Sequence, residues 1–182
     1  MAESFVNSLT RAAGIMTSYD SCTVGAISTS ITVSANTGIA VSDLVDNSNF
    51  LAGTKVQQID GTTIYTDLTS TNTSSSTTQT VKFLGMTTAF TAADKSILIG
   101  GTFANNTENS VNLTVEIFDQ SVGVTTTGGS VALASKIPVP NGSSFVISDA
   151  GKTVLETSDE LRVYCDANDA VDVSLGILKG VS

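Results

Sequence analysis

Apolar and polar side chains alternate with a two-residue period along much of the second half of the chain. Val111, Leu113, Val115 and Ile117 share one parity, and Asn112, Thr114 and Glu116 take the other. That is the pattern of a strand with one buried face. Leu161, Val163 and Cys165 repeat it, as do Val171, Val173, Leu175 and Ile177. Ile97, Ile99 and Phe103 do likewise around Gly100 and Gly101, where a bulge or a close backbone approach is expected. Turn-forming clusters punctuate these runs: NNTENS at 105–110, TTTGGS at 125–130, PNGSS at 140–144, DAG at 149–151 and DAND at 166–169. A spacing of about ten residues between turns is that of an antiparallel sandwich or barrel. Pro138 and Pro140 flank Val139 and put that segment on a sheet edge or in an extended crossing, because proline cannot donate to a ladder.

The first half carries shorter runs, which predict strands near 30–34, 38–45, 54–59, 62–68 and 79–84, with Asp60-Gly61 as a turn. The polar tract STNTSSSTT, 70–78, reads as an exposed hairpin loop. At the start, Phe5, Val6, Leu9, Ala12 and Ala13 fit one face of a short helix ended by Gly14, and an extended arm accounts for the same residues. The expected fold is therefore all-β. It comprises an N-terminal helix or arm over 1–21, a small β module over 22–86, and an antiparallel sandwich or jelly-roll-like module over 87–182.

Composition supports that reading. The chain has 182 residues, 41% hydrophobic and 14% charged, which suits one large or two small β domains with real cores. Serine and threonine supply more than a quarter of the residues, a bias that favours pleated surfaces. A net charge of −9 repels phosphate backbones and anionic lipid, so neither nucleic acid nor membrane is an expected partner. The first twenty residues lack the basic start and apolar core of a signal peptide, and no run is long enough to cross a bilayer as a helix, so a soluble protein is expected. Cys22 and Cys165 match no metal-ligand spacing; they are read either as buried thiols or as a pair joined by the fold.

One stretch concentrates chemistry: LETSDELRVYCDANDAVDVSLGIL, beginning at Leu155. Its parity makes a hairpin with an apolar inner face. Asp166, Asn168 and Asp169 then lie in a solvated bend, Asp172 on the outward face, and Glu156, Asp159 and Glu160 before the first strand. The bend could offer calcium three oxygens, as could Asp46, Asn47 and Asn49, but neither cluster carries the glycine and distal glutamate of an EF-hand loop. The chain contains no histidine, which removes the commonest general base and the usual triads. It has no tryptophan to wall a sugar-hydrolysing cleft and no glycine-rich phosphate loop. No catalytic residue, cofactor or metal site is assigned, and a non-enzymatic role is expected.

The order FANNTENSVNLTVEIFD, SKIPVPNGSSFVIS, GKTVLETSDELRVYCDANDAVDVSLGIL resembles a group of small virion structural proteins of tailed bacteriophages, especially those of marine bacteria and cyanobacteria. The matching pieces are Asn105 to Ile117, Pro140 to Ile147 and Val154 to Leu178, within roughly residues 95–180. Where that group carries Gly-Asp this chain has Ser158-Asp159, and the block from about Cys22 to Leu84 is additional; its ANTGIAVSDLV and GTKVQQIDGTTI resemble small β repeats of phage tail and fibre proteins. The resemblance implies a virion subunit of tail, neck or capsid exterior, assembled in the host cytoplasm, whose partners are copies of itself and other virion proteins. Phe5, Val6, Leu9, Ile15 and Met16 are the expected subunit-interface residues, being apolar at a chain end. The competing expectation is a receptor- or carbohydrate-binding module, favoured if Tyr19, Tyr65 and Tyr164 group on one exposed face.

Overall fold

The computed structural model describes residues 3–122 and 129–181, with the side chains of 149–152 outside the description. Gly14 separates β1 (Ser4–Ala13) from β2 (Ile15–Val24). Next come β3 (Ser30–Thr32), β4 (Leu44–Asp46), β5 (Val56–Asp60), β6 (Thr63–Thr66) and β7 (Ser76–Gly85), and Met86 leads into β8 (Thr87–Thr91). Then follow β9 (Ser96–Asn105), β10 (Val111–Phe118), β11 (Ser130–Val139), β12 (Ser144–Leu155), β13 (Glu160–Cys165) and β14 (Val171–Lys179).

Eight of these strands make a sandwich. Its antiparallel sheets run β1-β14-β9-β12 and β11-β10-β13-β8. Lettered B to I in chain order, with β1 as B and β8 as C, the sheets read B-I-D-G and F-E-H-C, the paired Greek keys of a jelly roll. The alternation seen in the sequence fills the space between them: Leu113, Leu161, Leu175, Ile177, Leu155 and Phe103 are all fully buried there. Ser8 and Thr10 of β1 donate side-chain hydrogen bonds to the Ala89 carbonyl of β8 and so tie one sheet to the other. Pro138 lies on β11, an edge strand, as its missing donor requires. The bulge expected near Gly100 is present: Ile99 is the extra residue between the pairs Gly176–Gly100 and Ile177–Leu98. Next to it, a Cβ on Gly101 would come within 2.7 Å of a Leu175 methyl.

The other six strands form a second sheet, β4-β7-β2-β3-β6-β5. Its two ends meet through the Leu44–Lys55 bridge, with Val45 N–H donating to the Thr54 carbonyl at 2.8 Å and Val56 N–H to that of Asp43 at 2.9 Å, so the sheet closes into a small barrel. Cys22, Val24, Ile31, Ile64, Val81 and Phe83 fill it. The barrel is inserted between strands B and C of the jelly roll. The chain leaves through Gly14 and returns through Gly85, and Ile15 pairs with Gly85, so the two crossings lie side by side. Gly14 has φ +123°, and a Cβ there would overlap the Ala167 carbonyl oxygen.

Three expectations are corrected. No helix forms at the N-terminus: residues 4–13 are extended, as strand β1 laddered along β14. The reason is an inverted parity, because small Ser8 and Thr10 point inward with Val6 while Phe5 and Leu9 point out. The strand expected at 38–45 is a series of turns, closed by Ile39 N–H to the Asn36 carbonyl and Asp43 N–H to the Ala40 carbonyl, and only Leu44–Asp46 is extended. The tract 70–78 is not simply a loop: Ser70 is buried, donating to the Gly25 carbonyl at 2.6 Å, and β7 begins at Ser76. Both cysteines are free thiols, Cys22 in the barrel core and Cys165 in the jelly-roll core, each pushed above its ordinary pKa by burial.

Candidate assembly surfaces

The five apolar residues expected at an interface do not form one strip. Phe5 and Leu9 stand on the outward face of the B-I-D-G sheet, 76% and 73% exposed. Val6 packs on the jelly-roll core. Ile15 is half exposed beside Gly85, and Met16 packs with Leu44, Leu84 and Tyr164 in a cluster between the two modules. Phe5 and Leu9 have companions that a scan of the N-terminus could not find. Across the sheet Phe5 pairs with Leu178, Leu178 with Ile97 and Ile97 with Val154, an apolar row over four strands. Leu9, Ser174, Thr102 and Val146 make a parallel row. Their signal was present as apolar residues on the parity opposite the core, but parity alone does not say whether an outer face is bare or covered.

Side chains of the acidic stretch bind the chain's own backbone and side-chain donors. The Asp166 carboxylate accepts both the backbone N–H (2.7 Å) and the side-chain amide (2.9 Å) of Asn112. Asn168 Oδ1 accepts the N–H of Met16 at 2.5 Å, and Asp169 N–H donates to the Gly14 carbonyl at 3.0 Å. Asp172 takes the N–H of Ala12 at 2.8 Å, a hydrogen bond that holds its carboxyl below the usual range. Asp159 accepts from Gln120 and Glu156. These carboxylates thus satisfy backbone donors around the Gly14 crossing and the loop ends. Among the described residues no group of three or more Cys, Asp or Glu side chains is placed to hold a metal ion. The second cluster is similarly spent: Asp46 pairs with Lys136 at 2.6 Å, and Asn47 caps Asn49 N–H and donates to the Thr80 carbonyl.

Charge is concentrated instead where the barrel covers the outer F-E-H-C face. Lys55 of the barrel reaches Glu116 of β10 at 2.6 Å and Ser130 Oγ of β11 at 2.7 Å, with the Tyr164 ring centroid 5.6 Å away. Lys55 and Glu116 side chains are 3% and 4% exposed. Two further ion pairs bridge the modules, Lys136–Asp46 and, at 3.8 Å, Lys82–Asp166. Arg162 stacks 3.6 Å over Phe118 and pairs with Glu160. Tyr164 is fully buried beneath the barrel, where desolvation drives its phenol well up, and its hydroxyl has no partner of good geometry among the described residues. Its outward parity is real, but that outer face is occupied.

The tyrosines therefore do not gather on one exposed face. Tyr19 packs edge-on against Phe83 and donates to the Thr37 carbonyl at 2.6 Å, Tyr65 is half-buried on β6, and Tyr164 is covered. Two of the concavities on the described surface bear on the expected interface residues. One, of about 200 Å³, lies beside Asp43 between Ile15 and Met86, where burial lifts the Asp43 carboxyl. The other, of about 290 Å³, is a shallow trough on the B-I-D-G face between Leu9, Thr102 and Ser174. Both fall short of the several hundred Å³ typical of small-molecule sites.

No family model matches the chain, and no curated protein sequence matches it. Among solved structures, the chain is similar at 15% identity to hydroquinone 1,2-dioxygenase from Sphingomonas sp. TTNP3 with 4-hydroxybenzoate bound. The likeness covers 54% of this chain and 60% of that one, with a TM-score of 0.16. At that level it bears on neither fold nor chemistry.

Proposed function

We propose that this protein is a non-enzymatic structural subunit of a bacteriophage virion, carried on the tail, neck or capsid exterior and acting through contacts with copies of itself and with other virion proteins. The observation that carries the reading is the eight-stranded jelly roll with its barrel insert, since jelly rolls recur in viral capsid domains, lectins and cupins. The alternatives in that set need parts that are hard to find here. Cupin-type chemistry wants imidazole ligands and an open interior. This chain has no histidine, and Phe103, Leu161 and Leu175 fill the space between its sheets. Sugar recognition wants an aromatic platform, and the tyrosines are dispersed. The acidic surface suits an exterior position, where it keeps DNA from adhering.

Particles purified by density gradient from producing cells test the proposal. The chain should band with intact particles at a fixed copy number and be locatable in particle density by electron microscopy. Recovery only in the soluble fraction, with particles complete without it, would refute the reading. Selective retention on a glycan array would favour the receptor- or carbohydrate-binding alternative.

A further inference from the structure

We infer that the bare outer face of the B-I-D-G sheet is a self-association surface on which a second copy of this chain docks face to face. This deepens the assembly reading by naming the surface and the partner. Three successive rows cross that face: Phe5–Leu178–Ile97–Val154, then Asn7–Gly176–Gly100–Ser148, then Leu9–Ser174–Thr102–Val146. No side chain in them is charged, although the chain carries −9 overall. Phe5, Leu9, Val146 and Val154 are 76%, 73%, 53% and 46% exposed. Three uncharged, largely apolar rows on so acidic a chain let two copies meet there with little repulsion, Arg11 and Asp172 standing at their margin.

The numbering of β1 supplies the registration. A two-fold axis lying in the face and running along the Asn7–Gly176–Gly100–Ser148 row sets β1 antiparallel over its counterpart. Phe5 then falls over the partner's Leu9 row and Leu9 over the partner's Phe5 row. The axis passes over paired glycines, and a Cβ on Gly176 would meet nothing nearer than 3.9 Å, so the two backbones can approach closely there. The 290 Å³ trough beside Leu9 and Thr102 lies where the partner's Phe5 arrives. The same axis carries Glu3 over the partner's Arg11. Both are exposed, and among the described residues neither forms a salt bridge within 4 Å, although the Asp172 carboxylate lies close enough to Arg11 to feel its charge. Each half of an isologous contact thus receives one opposite charge at its rim. Four strands about 4.8 Å apart and about eight residues long give a face of roughly 500 Å² per copy, so the pair reaches the ~1,000 Å² that a specific interface needs.

Sedimentation equilibrium of the purified full chain from roughly 1 to 100 μM tests this directly. The wild type should sediment as a dimer over the upper part of that range. Phe5→Asp and Leu9→Asp, both at solvent-exposed positions, should weaken association by about 100-fold or more, because each buries an unpaired charge in the contact. Leu51→Asp, exposed on the barrel, should leave association unchanged. Glu3→Arg and Arg11→Glu should each weaken it roughly ten-fold, and the double exchange should restore it. Unchanged far-UV circular dichroism and Tm establish that the variants fold. A wild type monomeric throughout, a dimer indifferent to Phe5→Asp, or charge exchanges that do not compensate would each overturn the inference. Particle association is measured separately, so failure here leaves the virion reading to its own test.

Discussion

Truncating Lys55 tests the junction between the modules most sharply. Lys55→Met removes a cation that is 2.6 Å from Glu116 Oε2 and 2.7 Å from Ser130 Oγ, and it leaves the Glu116 carboxylate enclosed at 4% exposure without its counter-charge. Breaking a buried pair from one side costs about 3–5 kcal/mol, most of it the penalty of the stranded charge. The total stability of a domain is about 5–15 kcal/mol, so this is a large fraction of it. With a urea m-value of about 2 kcal/mol/M, the unfolding midpoint should fall by about 2 M. Lys55→Met/Glu116→Leu removes both charges and should recover to within about 1 kcal/mol of the wild type, because the site is then apolar beside Leu44 and Tyr164. Urea unfolding followed by circular dichroism measures all three proteins. A single variant within about 1 kcal/mol of the wild type would show that the pair is not sealed from water. A double variant no better than the single would show that the cost is lost packing rather than stranded charge.

Gly14→Ala should destabilise by about 3 kcal/mol or more, lowering Tm by roughly 6–12 °C, since φ is +123° and the added Cβ meets the Ala167 carbonyl; an unchanged Tm would mean the crossing can shift. Ser158 has φ +76°, so Ser158→Gly should stabilise by about 1 kcal/mol in urea unfolding, and a loss would show that its side chain matters more than its backbone. Burial raises the Asp43 carboxyl above its ordinary 3.8, so its stabilising contribution is complete below that value and is lost as pH rises through the folded value. Asp43→Asn, which keeps an acceptor for Ala40 N–H, should therefore gain in Tm over the wild type at pH 7 and not at pH 3.5; equal gaps at both pH values would refute the sign.

The strands that alternate cleanly were legible because one of their faces meets a core and the other does not. β14 obeys that rule over nearly its whole length, whereas β10 and β13 alternate in polarity alone, since the barrel also buries their outer face. β1 broke it for a physical reason: as an edge strand at a corner of the sandwich, it turns hydroxyls inward to bond the Ala89 carbonyl and apolar residues outward, so its periodicity imitates a helix face. β2 was hidden by positive φ at Ser21, which interrupts the ladder and its alternation. The acidic bend was legible as a turn, but its partners were not, since Asn112, Ala12 and Met16 lie far away in sequence. Nor could composition reveal that the barrel enters as an insertion, because that depends on Ile15 pairing with Gly85.

The insertion also explains why the two outer faces of the jelly roll differ as they do. An uncovered sheet ordinarily carries its charges outward to water and its apolar residues inward. Here the outward parity of β10 and β13 supplies Glu116 and Tyr164, residues that would read as solvent-facing, and the barrel buries them by providing Lys55, Leu44 and Leu84 as partners. The outward parity of β1, β9, β12 and β14 supplies Phe5, Ile97, Val154 and Leu178, and nothing within the chain covers them among the described residues. The buried ion pair thus lies in the internal interface, and the three rows without charged side chains are open. Two strand crossings at Gly14 and Gly85, three ion pairs and a buried apolar cluster hold the barrel against one face. The opposite face thereby turns three rows without charged side chains outward, with Arg11 and Asp172 at their margin, an arrangement that suits a subunit adding to neighbours in one orientation.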